Sequence, residues 1–505
     1  MSTDATAGPS NASLGNPKWD KAFLGHPRGL STLFFTEMWE RFSYYGMRAL
    51  LILFMTAPVA TGGMGFDVVK SGALYGLYTG MVYLLSLPGG WIADNILGQR
   101  KAVVLGGIFI ACGHFILSIP SQDFFYYGLM VIAPGVGLLK PNVSAMVGQL
   151  YSKTDNRRDA GFSLYYMGIN IGAFLSPLIC GYVGQRVDWH MGFMIGGIGM
   201  VLGLIQFVLG GTFLGEAGIK PPGSLTPEAI AKAKRSGLIG GLVTAGLVAL
   251  MVVMANAGML DLSPEGISNL FGILLLVVTA AFFSWLFGLN KWTSDERNKL
   301  IVVTIFFVAT IFFWSAFEQA GSTLNLFAER STENVALGYD FPASWFQSLN
   351  SLFIITLAPV FAWLWVWLGP KEPSSPMKFA IGLLFVGLGF ALMIFAAMAA
   401  ANGDRVSPMW LTVMYLLHTI GELCLSPVGL SAMTKLAPGR VTGLVMGVWF
   451  LGPSIANYIS GRLAGFYESM PLSQLFGLVT LFSIGSAVVM LVIVPWSKRL
   501  MGEVR

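Results

Sequence analysis

Charge is scarce in this chain. Of its 505 residues, 11% are Asp, Glu, Lys or Arg, against 55% hydrophobic residues and a mean hydropathy of +0.70. A soluble domain carries roughly 25% charged residues, so this composition excludes an ordinary water-soluble fold. Cysteine is rarer still. Cys112, Cys180 and Cys424 each fall in an apolar stretch, which excludes a disulfide framework and reads as packing. The four histidines, His26, His114, His190 and His418, form no cluster with Cys or carboxylates at metal-ligand spacing. There is no phosphate-cradling glycine loop, so ATP is not the expected energy source. Segments of about ten alternating residues, the mark of a membrane β-barrel, are missing as well. No cleavable signal peptide is evident. The first 29 residues are polar and carry Pro9, Asn11, Pro17 and Pro27, as expected of a cytoplasmic tail.

Long apolar runs are abundant. Runs of 18 residues or more imply membrane-spanning helices. Spans are expected near 30–57, 70–95, 101–120, 122–151, 158–186, 190–214, 237–258, 267–289, 299–328, 341–369, 376–401, 408–436, 441–467 and 472–496. The fold class is therefore an all-α polytopic membrane protein with 14 transmembrane helices. With alternate connections placed on one side, nearly all loop lysines and arginines gather there, from Lys18 through Arg100, Lys153, Lys220 and Arg440 to Arg505. Only Lys70, Arg186, Arg330, Arg405 and Arg462 fall opposite. The positive-inside rule then puts both termini in the cytoplasm. The net charge of +5 is thus topological and implies no nucleic-acid partner.

The longest basic connection, Glu216 to Ser236, contains Pro221-Pro222-Gly223 and divides the chain. The expected organisation is a tail (1–29), a six-helix bundle (30–215), a linker with an inserted transmembrane hairpin (216–298), and a second six-helix bundle with a short cytoplasmic tail (299–505). Leu139-Lys140-Pro141-Asn142 and Leu425-Ser426-Pro427-Val428 are faintly alike, as are Trp39-Glu40-Arg41 and Phe317-Glu318-Gln319. Parallel repeats of this kind occur in secondary transporters.

Against this apolar background, the first span contains Glu37, Glu40, Arg41, Tyr44 and Arg48. Glu37, Arg41, Tyr44 and Arg48 follow helical spacing and share one face. Lys140, Glu318 and Glu422 complete the charges at membrane depth. A charge there costs a few kcal/mol or more and normally faces a cavity. Three cations stand against four anions, so one bound proton would balance the set, which motivates proton coupling. The simpler account is static ion pairing between helices. Buried pairs stabilise poorly relative to apolar packing, however, and that weighs against it for so many groups. The turn Gly89-Gly90-Trp91-Ile92-Ala93-Asp94-Asn95-Ile96-Leu97-Gly98-Gln99-Arg100-Lys101 reads as a conformational latch carried by Asp94 and Arg100. Tyr44, Tyr45, Tyr83, Trp314 and Trp449 lie on helices bearing these motifs, and Asn170 and Asn350 are amides within apolar helices. Isolated amides and aromatics serve equally as interhelical glue or interface anchors.

The stretch Glu37-x-x-Glu40-Arg41-Phe42-x-Tyr44-Tyr45-Gly46 resembles the signature of the proton-dependent oligopeptide transporters, a branch of the major facilitator superfamily. So do Lys140-Pro141-Asn142, Phe162-Ser163-x-x-Tyr166-x-x-Ile169-Asn170-x-Gly172, Phe317-Glu318-Gln319, Gly421-Glu422-Leu423-x-x-Ser426-Pro427 and Trp449-Phe450-Leu451. The resemblance spans nearly the whole core. It implies a major facilitator fold in a bacterial cytoplasmic (inner) membrane, with import of di- and tripeptides by proton-coupled alternating access. It also implies no cofactor beyond the co-transported proton, no enzymatic activity, peptide-like drugs as further cargo, and a monomer. By motif position, Arg41 and Lys140 would meet the peptide carboxylate, Glu422 its amino end, and Asn170 and Asn350 its backbone. Tyr44, Tyr83, Trp314 and Trp449 would shape the pocket. Arg48 with Glu318 and Lys140 with Glu422 would form gate pairs, and Glu37, Glu40 and Glu318 would carry protons. Two departures stand out. The second span has no histidine, so the proton-sensing histidine of animal relatives is absent. Pro453 stands where several relatives have a small polar residue. Nitrate is an alternative cargo, but it has no amino end to use Glu422. A membrane hydrolase would need a nucleophile–base pair at membrane depth, and none is convincing.

Overall fold

The computed structural model describes residues 19–152, 154–219, 226–289, 291–438 and 441–502. The tail up to Lys18, the linker residues Lys220 and Pro221-Pro222-Gly223, and the loop cations Lys153, Arg440 and Arg505 lie outside the described residues.

The described chain is almost wholly helical. In order it forms α1 (Gly29–Thr56), α2 (Val68–Leu84), α3 (Ser86–Ile92), α4 (Gln99–Leu117), α5 (Gln122–Gln149), α6 (Arg158–Arg186), α7 (Trp189–Leu209) and α8 (Pro227–Asn256). It continues with α9 (Pro264–Ser284), α10 (Ser294–Phe317), α11 (Thr323–Ser331), α12 (Gln347–Leu368), α13 (Ser375–Ala400), α14 (Met409–Leu436), α15 (Thr442–Ala464) and α16 (Leu472–Met501). α3 continues α2 after a break at Leu85 and ends in a π-turn, Ala93–Leu97. α11 continues α10 through a 3₁₀ turn, Glu318–Gly321. With those two pairs joined, the helices make fourteen membrane-length segments among the described residues, the number expected. Eleven segments cross a membrane by length and apolarity alone. α1 is set apart by Glu37, Glu40, Arg41 and Arg48, and α2 by stopping after 17 residues.

The described residues divide into two compact units: those within 1–44, 85–173 and 194–246, and those within 45–84, 174–193 and 247–505. In the first, α4 and α5 pack backbone to backbone. A Cβ on Gly106 would sit 2.6 Å from the Gly135 carbonyl, and one on Gly113 2.8 Å from that of Gly128. Small residues at such crossings allow the close approach that drives helix association in lipid. On α6, Gly168 and Gly172 do the same toward Phe34 and Met38 of α1. In the second unit, α2 lies on α15 with Gly72 and Gly76 against Gly461, and α13 meets α14 at Gly382 and Gly421. Ser454 adds a hydrogen bond from its hydroxyl to the Gly80 carbonyl (2.7 Å). Pro453 is accommodated inside α15, and its carbonyl accepts from the Asn457 amide at 2.9 Å.

Candidate functional site

Within the first unit, α1 presents a buried acid–base cluster. Arg41 Nε lies 3.2 Å from Glu37 Oε1 and also contacts the Glu40 carboxylate. Glu37, Glu40 and Arg41 are 2%, 0% and 3% exposed. Two carboxylates thus share one guanidinium where water does not reach. Tyr165 of α6 donates its hydroxyl to Glu37 Oε2 at 2.7 Å. Tyr165, Gly168 and Gly172 recur at helical spacing, so the glycine face that admits α1 is also the face that aims this phenol. Glu40 Oε1 is buried with no hydrogen-bond partner among the described residues. Arg41 sits over the Tyr44 ring, 5.1 Å from its centroid. Lys140, half-buried in α5, lies near enough to act electrostatically on Glu37. Asn170 is buried in α6 and donates to the Tyr166 carbonyl of its own helix at 2.9 Å.

The second unit holds the remaining charges. Arg48 Nη2 pairs with Glu318 Oε2 at 2.6 Å and reaches the Glu318 carbonyl at 3.3 Å, while its Nε donates to the Tyr75 hydroxyl at 2.8 Å. Gly321, closing the 3₁₀ turn, makes room for this arrangement: a Cβ there would lie 2.7 Å from Arg48 Nε and overlap Tyr75. On α14, Glu422 accepts from the Asn350 amide at 2.9 Å, and that amide also reaches the Thr419 hydroxyl at 3.1 Å. Glu318 and Glu422 lie close enough to act on one another. His418 packs between Phe317 and Phe390 at centroid distances of 6.0 and 5.2 Å, while Asn350 is the residue that donates to the nearby Glu422 carboxylate. The Trp314 indole N–H is buried without a hydrogen-bond partner among the described residues. Gly429 leaves space for the Trp449 ring, whose Cζ3 would be 2.9 Å from a Cβ placed there. Tyr83 is half-buried in the last turn of α2.

The structure therefore unites Glu37, Glu40 and Arg41, joins Arg48 to Glu318, and joins Asn350 to Glu422. Asp94 and Arg100 form no ion pair with each other. Asp94 accepts from Gln99 at 3.2 Å, and Arg100 donates to the carbonyls of Ala217, Gly215 and Gly211 at 2.7, 2.6 and 3.2 Å. Sequence reasoning missed Tyr165 and Tyr75. Both carry a signal in hindsight, since each shares a helix face with the glycines that set a helix crossing.

Buried carboxylate–guanidinium clusters on apolar helices are the mark of a polytopic membrane transporter. Residues 100–480 match the POT family. A peptide transporter of Yersinia enterocolitica subsp. palearctica is 43% identical over 97% of this chain and 98% of its own. A di-/tripeptide transporter of Lactococcus lactis subsp. cremoris is 37% identical over 97% and 99%. A crystal structure of a POT peptide transporter in complex with alafosfalin superposes with a TM-score of 0.87, at 43% identity, covering 95% of this chain and 96% of the other. The chain belongs to the POT family. Its fold is the major facilitator fold of two six-helix bundles with an added two-helix hairpin, and it is a transporter rather than an enzyme.

Proposed function

We propose that this protein imports di- and tripeptides, with peptide-like drugs as further cargo, by proton-coupled alternating access. The observation that carries the reading is the dry cluster in which Glu37 and Glu40 share Arg41. An anion in excess at a buried site calls for a counter-charge, and a proton supplied from outside is the smallest available. In this reading Arg41 and Lys140 take the peptide carboxylate, since charge-assisted bonds to a carboxylate are the strong ones. Glu422 takes the amino end. The Asn350 amide now on Glu422 turns to the peptide carbonyl, as an amide both donates and accepts. Asn170 serves the backbone likewise, and Tyr44, Tyr83, Trp314 and Trp449 line the pocket. The unpartnered Trp314 N–H supports a polar ligand beside it.

Glu37, Glu40 and Glu318 are the proposed proton carriers. Arg48–Glu318 and Lys140–Glu422 are the proposed gates, and Asp94 with Arg100 is the latch. The division at 29/30, 215/216 and 298/299, the bacterial inner membrane with both termini cytoplasmic, and a monomeric state belong to the same proposal. So does the absence of any metal or organic cofactor.

The test is dialanine uptake into proteoliposomes, with and without an inward proton gradient, for wild type and Glu318→Gln, with counterflow exchange in parallel. Driven uptake lost while exchange persists supports Glu318 as a coupling group. Normal driven uptake in the variant moves that role to Glu37 or Glu40. No dialanine transport by folded wild type refutes the peptide reading.

A further inference from the structure

Outside these clusters, the second unit carries an apolar groove of about 700 Å³ along α10, α13, α16 and the turn after α9. Phe287, Ile301, Val308, Phe312, Phe482 and Val489 are among its walls. Its sides run from Ile301 to Phe312 on α10, eleven helical rises or roughly 16 Å at about 1.5 Å each. Half of a bilayer's hydrocarbon core is about 15 Å. The groove is therefore one leaflet deep. At its far end Phe312 and Phe482 meet at 6.0 Å.

The near end is different. Arg297 lies one turn before Ile301 on the groove face of α10 and is exposed, with no ion pair among the described residues. The charges around it are already engaged. Lys299 pairs with Asp295 at 2.7 Å, and the Glu296 carboxylate accepts from Thr293 in a capping box. The end of α16, which runs antiparallel to α10 along the groove, adds exposed Lys498 and Arg499. Trp496 continues the groove face of α16 and is 48% exposed, as expected of an indole at the headgroup level.

We infer that this groove is a binding site for an anionic phospholipid, with an acyl chain lying between α10 and α16 and the phosphate held by Arg297 with Lys498 and Arg499 nearby. Length fixes the occupant as a lipid tail of one leaflet, and the surplus of positive charge at one end selects the headgroup.

The experiment is native mass spectrometry of the full-length protein titrated with palmitoyl-oleoyl phosphatidylglycerol or the phosphatidylcholine of the same chains. One basic residue near a membrane surface contributes about 1 kcal/mol, or about fivefold. Phosphatidylglycerol should bind at least about fivefold tighter than phosphatidylcholine, and Arg297→Gln should remove most of that difference. Gly485→Leu should weaken both lipids, because it fills the groove from a position whose Cβ meets nothing within 4 Å and so leaves the helix undisturbed. Equal binding of the two lipids, a preference intact in Arg297→Gln, or binding unchanged in Gly485→Leu would each overturn the assignment.

Discussion

Tyr165 is the residue on which the α1 cluster leans most visibly. Its hydroxyl donates to the Glu37 carboxylate, which is 2% exposed. Removing one partner of a buried hydrogen bond to a charged group costs about 1–3 kcal/mol or more. Tyr165→Phe should lower thermal stability in detergent by an amount in that range, and it should weaken driven dialanine uptake more than counterflow. An unchanged melting temperature would show that water or another donor replaces the phenol. Arg48→Gln strands the Glu318 carboxylate, and breaking a buried pair typically costs about 3–5 kcal/mol. The double variant Arg48→Gln/Glu318→Gln should be markedly more stable than Arg48→Gln alone, as read by thermal unfolding. At this scale the sequence disclosed every charged member of the clusters, because charge in an apolar helix is conspicuous. It did not disclose Tyr165 or Tyr75. Their mark in one dimension, a helix face shared with glycines, is too common in a membrane helix to single out a tyrosine that meets a charged group.

Helices add what single residues do not, namely where backbones touch. A Cβ at Gly172 would overlap the Met38 carbonyl and lie 3.1 Å from Phe42 N. Gly172→Ala should therefore force α6 from α1 and destabilise by about 1–3 kcal/mol, the usual cost of overpacking. Gly240→Ala, on α8 with nothing within 4 Å, should be neutral or stabilising by up to about 1 kcal/mol. Thermal shifts of the two side by side check the contrast; equal effects would refute the crossing argument. Helix number and type were legible from hydropathy, since runs near 20 residues dominate any other signal. The interruptions were not. The break at Leu85 falls in apolar sequence, and the charges of the π-turn at Ala93–Leu97 and of the 3₁₀ turn at Glu318–Gly321 do not by themselves signal a change of helix type. The Asp94–Arg100 turn likewise has a partner that only the fold provides, the carbonyls near Ala217.

For the molecule as a whole, the membrane accounts for most of the architecture, and the polar connections outside it are where ordinary aqueous electrostatics return. In the loop between α5 and α6, Arg157 pairs with Asp155 at 2.9 Å and with Asp20 at 3.0 Å. His26 Nδ1 lies 2.9 Å from the Tyr151 hydroxyl. Burial pushes that phenol up to about 12, so it stays protonated throughout the physiological range. Hydrogen bonds from Arg157 hold the Asp155 carboxyl below its usual range. A depressed carboxyl pKa contributes stability that is complete above the unfolded value near 4 and lost as pH falls through the folded value. Asp155→Asn should therefore lower stability at pH 7, by about 1 kcal/mol or less for so accessible a pair. The difference should shrink as pH falls below the unfolded value near 4 and vanish in acid strong enough to protonate the folded carboxyl as well. A gap that persists there would place the contribution elsewhere than in the ionised carboxylate.

Arg48 grips Glu318 twice, by its carboxylate and by its backbone carbonyl, and holds Tyr75 with a third bond. A carbonyl and a neutral phenol accept a hydrogen bond whether or not the carboxylate carries a proton. Neutralising Glu318 thus slackens the clasp without undoing it. In the proposed transport cycle the joint between α10 and α11 would stay registered while its hold weakens, so that opening would begin from an aligned state and closing would have a guide to return along.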